Sequence, residues 1–380
     1  MTKRLIIVTN SQSNLLNFRV DLIKKLVDEN FQVLVIIPKC DFSDEFQNKV
    51  MKLGANTSTI PLDRTGMNPI YDFITYIKLK SIFKKFKPDI VLSYTSKPII
   101  YSGLALGKNS KTKFFPTLTG LGYGFTGELN FKRKLINLIL KSLYKLSLKF
   151  SNAVIFQNSD DELFFKNLKI TKDKKTHVVN GSGVNLKFYS PSDLSKKHVF
   201  LMLSRLVADK GVIEYCEAAR EIRAKFPDAI FELAGSFDPN PSGLNYNQIK
   251  PFIDSEDIRY LGYITDVRYV LNNCRYYVLP SYREGTPRSI LEAMSIGRPI
   301  ITTNATGCRE TVVNNVNGLL VPIKDKKSLA AAMQKMLEFD DKKIIQMSNE
   351  SIKLVREKYD VTKVNDNIFK IINNQNIYAK

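Results

Sequence analysis

The chain has 380 residues, more than one hydrophobic core usually serves, so its length predicts two domains of ordinary size. Hydrophobic residues make up 44% and charged residues 25%, which excludes disordered and fibrous classes and predicts a globular protein. The formal net charge of +20 favours anionic partners, namely nucleic acid, a membrane surface or a phosphorylated substrate.

The first apolar run, Leu5–Val8, is too short for the core of a signal peptide. No stretch reaches the roughly 18 apolar residues of a membrane-spanning helix, so we expect a cytoplasmic protein. The four cysteines are scattered without paired spacing, which argues against a compact zinc site or a disulfide framework. Only two histidines occur, and no metal site is predicted.

Short β-branched runs alternate with longer amphipathic segments through the first half of the chain, which predicts a doubly wound parallel sheet. The predicted strands are Leu5–Val8, Val33–Ile37, Ile90–Leu92, Phe114–Leu118 and Val154–Phe156. The predicted helices cover residues 14–29, 43–53, 69–86, 98–107, 129–150 and 159–168. The last of these helices is predicted to open with a capping box, Ser159 to Glu162.

A polar, turn-rich stretch then indicates an interdomain linker; it contains Asn180–Gly183 and Tyr189–Ser192. The alternation restarts after it, and two such domains place ligands at the carboxyl ends of their strands. The strands predicted there are Val199–Leu203, Ile230–Leu233, Ile258–Leu261, Tyr276–Leu279, Pro299–Thr302 and Gly318–Val321. The predicted organisation is residues 1–185, residues 186–360, and a C-terminal helix in 361–380 that can pack back on the first domain.

Two cations follow the predicted strand Val199–Leu203 at a strand-to-helix turn. Arg205 and Lys210 are five residues apart and precede a predicted helix over Val212–Phe226. Cationic side chains at such a turn, together with the amides of the helix start, can clamp a diphosphate. An ordinary charged surface loop explains this motif alone equally well.

A second segment follows the predicted strand Tyr276–Leu279, with a glycine-containing turn and then a helix that begins near Arg288. Glu284 lies on the turn and Glu292, eight residues later, lies in the helix, so both can face one ligand. Carboxylates accept paired hydrogen bonds from sugar hydroxyls, and the amides from Gly285 onward can bind a phosphate. Exposed surface acids are the alternative, but both motifs fall at carboxyl ends of strands in one domain.

Both motifs resemble the retaining glycosyltransferases of family 4, whose two-Rossmann-domain architecture is called GT-B. The runs Gly297–Thr311 and Asn317–Val321 also resemble that family. The resemblance covers the whole chain and is strong from residue 199 to 322. It implies an α/β fold of two doubly wound, Rossmann-like domains that face each other across a cleft. The first would bind the acceptor and the second the nucleotide sugar.

The resemblance also implies roles for individual residues. Arg205 and Lys210 would neutralise the diphosphate, Glu284 would contact the donor sugar, and these three are the predicted catalytic residues. Glu292 would hold the ribose hydroxyls. The predicted donor-binding residues are Gly122, Arg205, Lys210, Glu284, Gly285, Thr286, Pro287, Arg288 and Glu292. The implied mechanism uses no metal or cofactor: positive charge stabilises the departing diphosphate while the acceptor hydroxyl attacks the same sugar face.

The N-terminal half matches the family less specifically. The loop Ser93–Pro98 stands where many members carry a histidine, and neither histidine of this chain lies close to it. The segment Thr119–Phe125 resembles a loop of the bacterial polysaccharide and lipid-linked-oligosaccharide branch, including its N-acetylgalactosaminyltransferases. Glycines there, Gly122 among them, let the backbone approach donor or acceptor closely.

Gly122 also begins a literal G-x-G-x-x-G pattern, the fingerprint of dinucleotide-binding folds. Such a fold would place an acidic residue about 20 positions further on, at the end of the next strand. The next predicted strand ends instead in Phe156-Gln157-Asn158, so the sequence disfavours NAD binding.

Much of the positive charge falls on two predicted helices of the first domain. In residues 129–150, four lysines fall on one stripe at helical spacing: Lys134, Lys141, Lys145 and Lys149. A second basic stretch covers residues 78–87. A basic amphipathic helix can lie on an anionic membrane surface, and a core helix with a solvated lysine edge is the alternative.

We therefore predict a retaining glycosyltransferase that moves a sugar from a UDP-sugar to a polyprenyl-diphosphate-linked saccharide for O-antigen, capsule or a related glycan. Resemblance favours an N-acetylhexosamine of galacto configuration, and Arg283 and Arg288 leave room for a uronic acid type sugar. We expect the protein to be peripheral at the inner membrane face. Two alternatives stay open: a UDP-sugar 2-epimerase of the same fold, and a nucleic-acid-binding protein, for which no module is found.

Overall fold

The computed structural model describes residues 2–64, 66, 68–108, 110–121, 125, 131–238 and 242–374, with the backbone alone at 131–133. The chain divides into two compact units, Met1–Ser182 with Thr362–Lys380, and Gly183–Val361. Each unit is built around one parallel β-sheet. The predicted α/β class with two doubly wound sheets is confirmed.

The N-terminal unit contains a seven-stranded sheet in the order β3-β2-β1-β4-β5-β6-β7, with every pair parallel. The strands are β1 (Arg4–Val8), β2 (Gln32–Pro38), β3 (Asn56–Ile60), β4 (Ile90–Tyr94), β5 (Lys113–Leu118), β6 (Val154–Phe156) and β7 (Thr176–Val178). The helices are α1 (Gln12–Phe18), α2 (Val20–Asp28), α3 (Asp44–Lys52), α4 (Pro69–Phe86), α5 (Ser96–Leu106), α6 (Phe131–Leu148) and α7 (Ser159–Asn167).

Helices cover both faces of this sheet, which is why its central strands are apolar throughout. On one face, side chains of α1, α2 and α3 pack in a cluster with Leu5 and Ile7 of β1. On the other face, Leu79 and Phe83 of α4 pack in a cluster with Ile6. A third cluster joins α5, α6 and α7 over β5 and β6. The helices α4 to α7 therefore form one layer on the second face.

The C-terminal unit contains a six-stranded parallel sheet in the order β10-β9-β8-β11-β12-β13. The strands are β8 (Val199–Leu203), β9 (Ile230–Ala234), β10 (Arg259–Gly262), β11 (Tyr276–Leu279), β12 (Ile300–Thr303) and β13 (Gly318–Val321). The helices are α8 (Val212–Lys225), α9 (Tyr246–Asp254), α10 (Arg268–Asn273), α11 (Arg288–Ile296), α12 (Lys326–Glu338) and α13 (Asp341–Leu354), followed by a π-helical turn, Val355–Tyr359. Both sheets thus contain the strand order of the doubly wound nucleotide-binding fold.

The last helix, α14 (Val361–Ile372), packs on the N-terminal unit although it follows the C-terminal one. Val364, Ile368 and Ile372 join the core cluster on the α1–α3 face. Lys25 of α2 forms an ion pair with Asp366 at 2.7 Å. Apolar burial and this ion pair together attach the C-terminal helix to the first sheet.

The eleven predicted strands all occur, with bounds that agree to within two residues. Two further strands, β3 and β7, were not predicted. Both lie at edges of the N-terminal sheet, and β3 buries only its last residue, Ile60, while β7 exposes Val178. An edge strand needs no continuous apolar run, so hydrophobic patterning did not detect them.

Two local predictions were wrong. The helix predicted over residues 14–29 is divided at Arg19 into α1 and α2. The capping box predicted at Ser159 does not form, because Asn158 is the N-cap and its side chain accepts from the Asp161 amide. Within the described residues, no helix combines the length and the apolar character needed to cross a bilayer.

Candidate active site

The candidate site lies at the carboxyl edge of the C-terminal sheet, where the neighbouring strands β8 and β11 end. The order of the sheet reverses between these two strands, and ligands of open α/β sheets bind at such a point. Arg205 and Lys210 lie on the loop after β8, and Glu284 lies on the loop after β11. The loops are joined through their backbones because the Tyr282 amide donates to the Asp209 carbonyl at 2.9 Å.

Lys210 and Glu284 form an ion pair between these loops. The Lys210 ammonium donates to Glu284 Oε1, and the two side chains are only 19% and 13% exposed. Ser281 Oγ donates to the same carboxylate oxygen at 2.7 Å. Among the described residues, Glu284 Oε2 has no protein partner, so it can accept a hydroxyl from a bound sugar.

Arg205 pairs with a different acid. Its guanidinium donates to Asp238, in the loop after β9, at 2.6 Å. The Arg205 side chain is 53% exposed and that of Asp238 is 6% exposed. The structure therefore places Arg205 and Lys210 on one loop without bringing them to one acid. A guanidinium anchored through one nitrogen has further N–H groups in a fixed fork that can contact a phosphate.

Glu292 lies in the second turn of α11 and its side chain is 13% exposed. Arg288, one turn earlier, donates to Glu292 Oε1 at 3.1 Å, and the Tyr189 hydroxyl interacts with the same side chain. Burial raises the pKa of the Glu292 carboxyl, and the Arg288 charge opposes this only in part. Burial and the Glu292 charge also raise the pKa of Tyr189, which therefore keeps its proton and remains a donor.

Two glycines allow their loops to approach the backbone of Glu284 and of Ser204, the residue before Arg205, closely. Gly307 has a φ of +81°, and a Cβ there would lie 2.3 Å from the Glu284 carbonyl oxygen. Gly235 has a φ of +148°, and a Cβ there would lie 1.7 Å from the Ser204 carbonyl oxygen. Only glycine satisfies both conditions. The Glu284 amide also donates to the Thr306 carbonyl at 2.9 Å, so the Glu284 loop is supported from the β12 side.

The predicted donor-binding residues Gly285, Thr286, Pro287 and Arg288 form the entry to α11. Pro287 is the N-cap residue, and its side chain makes no capping hydrogen bond. The start of a helix carries a partial positive charge on its amides, so this entry can accept a phosphate oxygen. Gly122, the remaining predicted residue, lies outside the described residues. All these binding roles stay predictions.

Within the described residues, no three His, Cys, Asp or Glu side chains come together as a metal-binding cluster. The four cysteines are free thiols. Cys308 lies beside the Glu284 loop, and burial together with the Glu284 charge raises its pKa to about 12. Because the thiolate is the nucleophilic form, Cys308 is a neutral core residue.

The equivalent edge of the N-terminal sheet lies where β1 and β4 end. Thr9 follows β1 and Thr95 follows β4, and their buried hydroxyls have no protein partner among the described residues. Thr95, at the start of α5, has φ 70° and ψ 164°. This region is essentially restricted to glycine, and strain of this kind concentrates at functional sites. Thr95 lies in the loop Ser93–Pro98, which the sequence resemblance places where many family members carry a histidine.

Sequence reasoning missed three residues of the C-terminal site: Tyr189, Asp238 and Gly307. Tyr189 lies in the stretch interpreted as a linker, and nothing in the local pattern indicates that it reaches Glu292. Asp238 lies in a loop without a motif. Gly307 lies in a run that was assigned to the family without a role, although a glycine after a predicted strand does indicate a close backbone approach.

Comparison with known proteins adds two matches that together span most of the chain. Residues 188–354 match the family described as Glycosyl transferases group 1, and residues 6–158 match Glycosyl transferase 4-like. One similar protein is the N,N'-diacetylbacillosaminyl-diphospho-undecaprenol alpha-1,3-N-acetylgalactosaminyltransferase of Campylobacter jejuni, 32% identical over 87% of this chain and 88% of that protein. Another is the UDP-Gal:alpha-D-GlcNAc-diphosphoundecaprenol alpha-1,3-galactosyltransferase of Escherichia coli, 30% identical over 81% of each chain.

Solved structures of similar fold cover nearly the whole chain. Sucrose-phosphate synthase from Thermosynechococcus elongatus superposes with a TM-score of 0.79 at 18% identity, covering 98% of this chain and 99% of that one. The Anabaena protein HepE, solved in complex with UDP-glucose, gives a TM-score of 0.77 at 17% identity with the same coverage. At these identities the likeness concerns the fold, and it confirms the expected GT-B architecture.

Proposed function

The chain belongs to the group 1 glycosyltransferases, and from this premise we propose that it transfers a sugar from a UDP-sugar to a lipid-linked saccharide, with retention of configuration. The product would be part of a surface glycan. The observation that carries the proposal is the Lys210–Glu284 ion pair at the point where the order of the C-terminal sheet reverses, followed by the helix that contains Glu292. The complex of HepE with UDP-glucose supports a uridine nucleotide as the donor.

The contacts of the site suggest how a UDP-sugar binds. Glu292 offers a carboxylate, steadied by Arg288 and Tyr189, to the two ribose hydroxyls. The entry to α11 and the Lys210 ammonium receive the diphosphate, and Arg205 reaches it from the half-exposed end of its loop. Glu284 accepts a sugar hydroxyl through Oε2.

During transfer, the bond between the anomeric carbon and the β-phosphate oxygen breaks, and negative charge grows on the departing UDP. Lys210 and Arg205 are fixed cations that stabilise this charge more in the transition state than in the ground state. The acceptor hydroxyl attacks from the same face, and its proton leaves with the diphosphate. We propose that these side chains balance the diphosphate charge without a metal ion, so transfer should persist in the presence of EDTA.

The donor sugar we favour is an N-acetylhexosamine of galacto configuration, because the Campylobacter relative is named as an N-acetylgalactosaminyltransferase and the Escherichia relative as a galactosyltransferase. Arg283 and Arg288 are also compatible with a donor sugar of the uronic acid type.

Both relatives carry a diphosphate-linked undecaprenol in their names. We therefore propose a polyprenyl-diphosphate-linked acceptor for this chain, and a peripheral position at the inner membrane face.

A panel of UDP-sugars tested against lipid-linked saccharide acceptors, with mass-spectrometric detection of the product, examines the proposal directly. We expect one UDP-sugar to add a single residue with release of UDP, and the anomeric proton coupling of the product to match that of the donor. An inverted linkage would contradict retention. A changed UDP-sugar formed without any acceptor would contradict transfer and favour an epimerase.

A further inference from the structure

Helix α4 has an apolar face that no other described part of the chain covers. Its buried side consists of Thr75, Leu79 and Phe83. The opposite side of its first turns exposes large apolar side chains to between 46% and 70%: Ile70, Tyr71, Phe73, Ile74 and Ile77. A helix on the surface of a sheet normally presents polar residues to solvent. The first half of α4 is therefore apolar on both sides.

The second half of the same face is basic. Four lysines of its last turns are exposed: Lys78, Lys80, Lys84 and Lys85. The one acidic residue of α4, Asp72, is directed toward α5, where its carboxylate pairs with Lys97 at 2.8 Å and interacts with Tyr101. The solvent side of α4 thus combines apolar and basic side chains without an acid.

Helix α6 continues this surface. Helix α5 lies between α4 and α6 and packs against both, so the three belong to one layer. Four apolar side chains of α6 are between 50% and 61% exposed: Leu135, Leu138, Ile139 and Leu146. They alternate with the exposed lysines Lys134 and Lys145. The inner side of α6 packs in the core, and its solvent side is mixed, because large apolar side chains are exposed among its lysines.

We propose that the solvent side of α4 and α6, called here the α4–α6 face, docks on an anionic membrane. The apolar first half of α4 enters the boundary between head groups and acyl chains, and the lysines contact lipid phosphates. This inference rests on the proposed function, because a polyprenyl-linked acceptor resides in the membrane. A symmetric dimer through this face would place the lysines of two copies against each other, whereas a lipid surface supplies the complementary charge.

A single tryptophan can test the insertion, because the chain contains none. Phe73→Trp places the fluorophore in the α4–α6 face. With vesicles of phosphatidylcholine and phosphatidylglycerol we expect a blue shift of its emission and quenching by brominated acyl chains. The matched control is Ile345→Trp on α13, which is 51% exposed and should keep its spectrum. An unchanged Phe73→Trp spectrum in the presence of the vesicles would overturn the proposal, whether or not the protein co-sediments with them.

The double variant Phe73→Ser/Ile77→Ser removes apolar area and keeps every lysine. We expect its partition coefficient on the same vesicles to fall about tenfold or more, since each lost side chain contributes apolar area. Met51→Ser, on α3 and therefore on the other face of the sheet, is the control and should bind like the wild type. If the double variant binds the vesicles as strongly as the wild type, the contact is purely electrostatic, and the proposed insertion of apolar side chains is overturned. A dimer in solution that the double variant disperses would assign the face to a second copy of the chain.

Vesicle binding requires neither donor nor acceptor, so its outcome is separate from that of the proposed function. With a short-chain, water-soluble acceptor, the double variant should transfer sugar at the wild-type rate. Loss of that transfer, in a variant with an unchanged circular dichroism spectrum, would overturn the assignment of this face to membrane docking alone. A wild type that binds vesicles but transfers to no acceptor would instead contradict the proposed function.

Discussion

The two sheets share one strand order yet present different chemistry at the same edge. At the ends of β8 and β11, the C-terminal sheet carries Lys210 and Glu284, an ion pair suited to a diphosphate and a sugar. At the ends of β1 and β4, the N-terminal sheet carries Thr9 and Thr95, whose hydroxyls suit an uncharged group. The fold determines where a ligand binds, and the loop residues determine which ligand it is.

The two edges are also held differently. The C-terminal loops are joined by backbone hydrogen bonds, from Tyr282 to Asp209 and from Glu284 to Thr306, each at 2.9 Å. The N-terminal edge keeps Thr95 in a backbone conformation that glycine favours. We therefore expect substitutions at the edge of the C-terminal sheet to lower activity by removing charge or displacing a loop. Relief of strain at the edge of the N-terminal sheet should alter stability.

The largest expected effect is that of Lys210→Ala. Removing this cation leaves the leaving diphosphate with less compensating charge, so turnover should fall about 10²- to 10³-fold. Initial rates of UDP release at saturating donor measure this loss. The control is Lys326→Ala, an exposed lysine of the same unit that pairs with Glu217, and it should keep wild-type turnover. Comparable turnover in both variants would remove Lys210 from the proposed chemistry.

Gly307→Ala should displace the Glu284 loop, because its Cβ would lie 2.3 Å from the Glu284 carbonyl oxygen. We expect a loss of about 2 to 4 kcal/mol in unfolding free energy from overpacking and backbone strain, together with reduced turnover. Gly262→Ala is the matched control, because Gly262 has a φ of +69° but no atom within 4 Å of the added Cβ. That variant should lose about 1 kcal/mol. Equal losses, measured by hydrogen exchange of amides in the C-terminal unit, would mean that strain, and not the contact with Glu284, explains the glycine.

Much of the C-terminal site could be predicted from the sequence, because its chemistry is local to two loops. Arg205, Lys210 and Glu284 lie on loops that follow strands with clear apolar runs, and Glu292 lies in the helix after the second of these loops. The partners of these residues could not be predicted. Tyr189 and Asp238 reach the site through tertiary packing, for which a single sequence carries no periodic signal.

The N-terminal unit was harder to interpret for a related reason. For residues 129–150 the sequence left two interpretations open, a helix on a membrane surface and a core helix with a solvated lysine edge, and α6 exposes leucines among its lysines. Exposure depends on whether a neighbouring element covers the helix. The pattern of one helix does not contain that information.

Glu292→Gln should weaken UDP binding about tenfold or more, because an amide accepts hydrogen bonds through only one oxygen. The effect should depend on pH. Burial raises the pKa of Glu292, so the wild-type carboxyl gains its proton at a higher pH than an ordinary glutamate, whose pKa is about 4.3. As the pH falls, UDP affinity of the wild type should therefore decrease more steeply than that of the glutamine variant, which follows only the protonation of the UDP phosphate itself. Calorimetric titration with UDP across pH measures both, and parallel curves would show that Glu292 does not hold the ribose.

The smallest effect concerns Thr95→Gly, and its sign is informative. Relief of the strained backbone should stabilise the protein by about 1 to 3 kcal/mol, and the added freedom of glycine in the unfolded chain should offset about 0.5 to 1 kcal/mol of this. We expect a net gain of about 1 kcal/mol, seen as slower hydrogen exchange of amides in β4 and α5, because a chain of two units need not unfold in one step. Thr95→Ala removes the same hydroxyl and keeps the strain, so it should show no gain. If Thr95→Gly gains stability and loses transfer while Thr95→Ala retains transfer, the strained backbone itself serves the reaction. Destabilisation by glycine would mean that the threonine side chain supports the loop, and the proposed contrast between the two edges would fail.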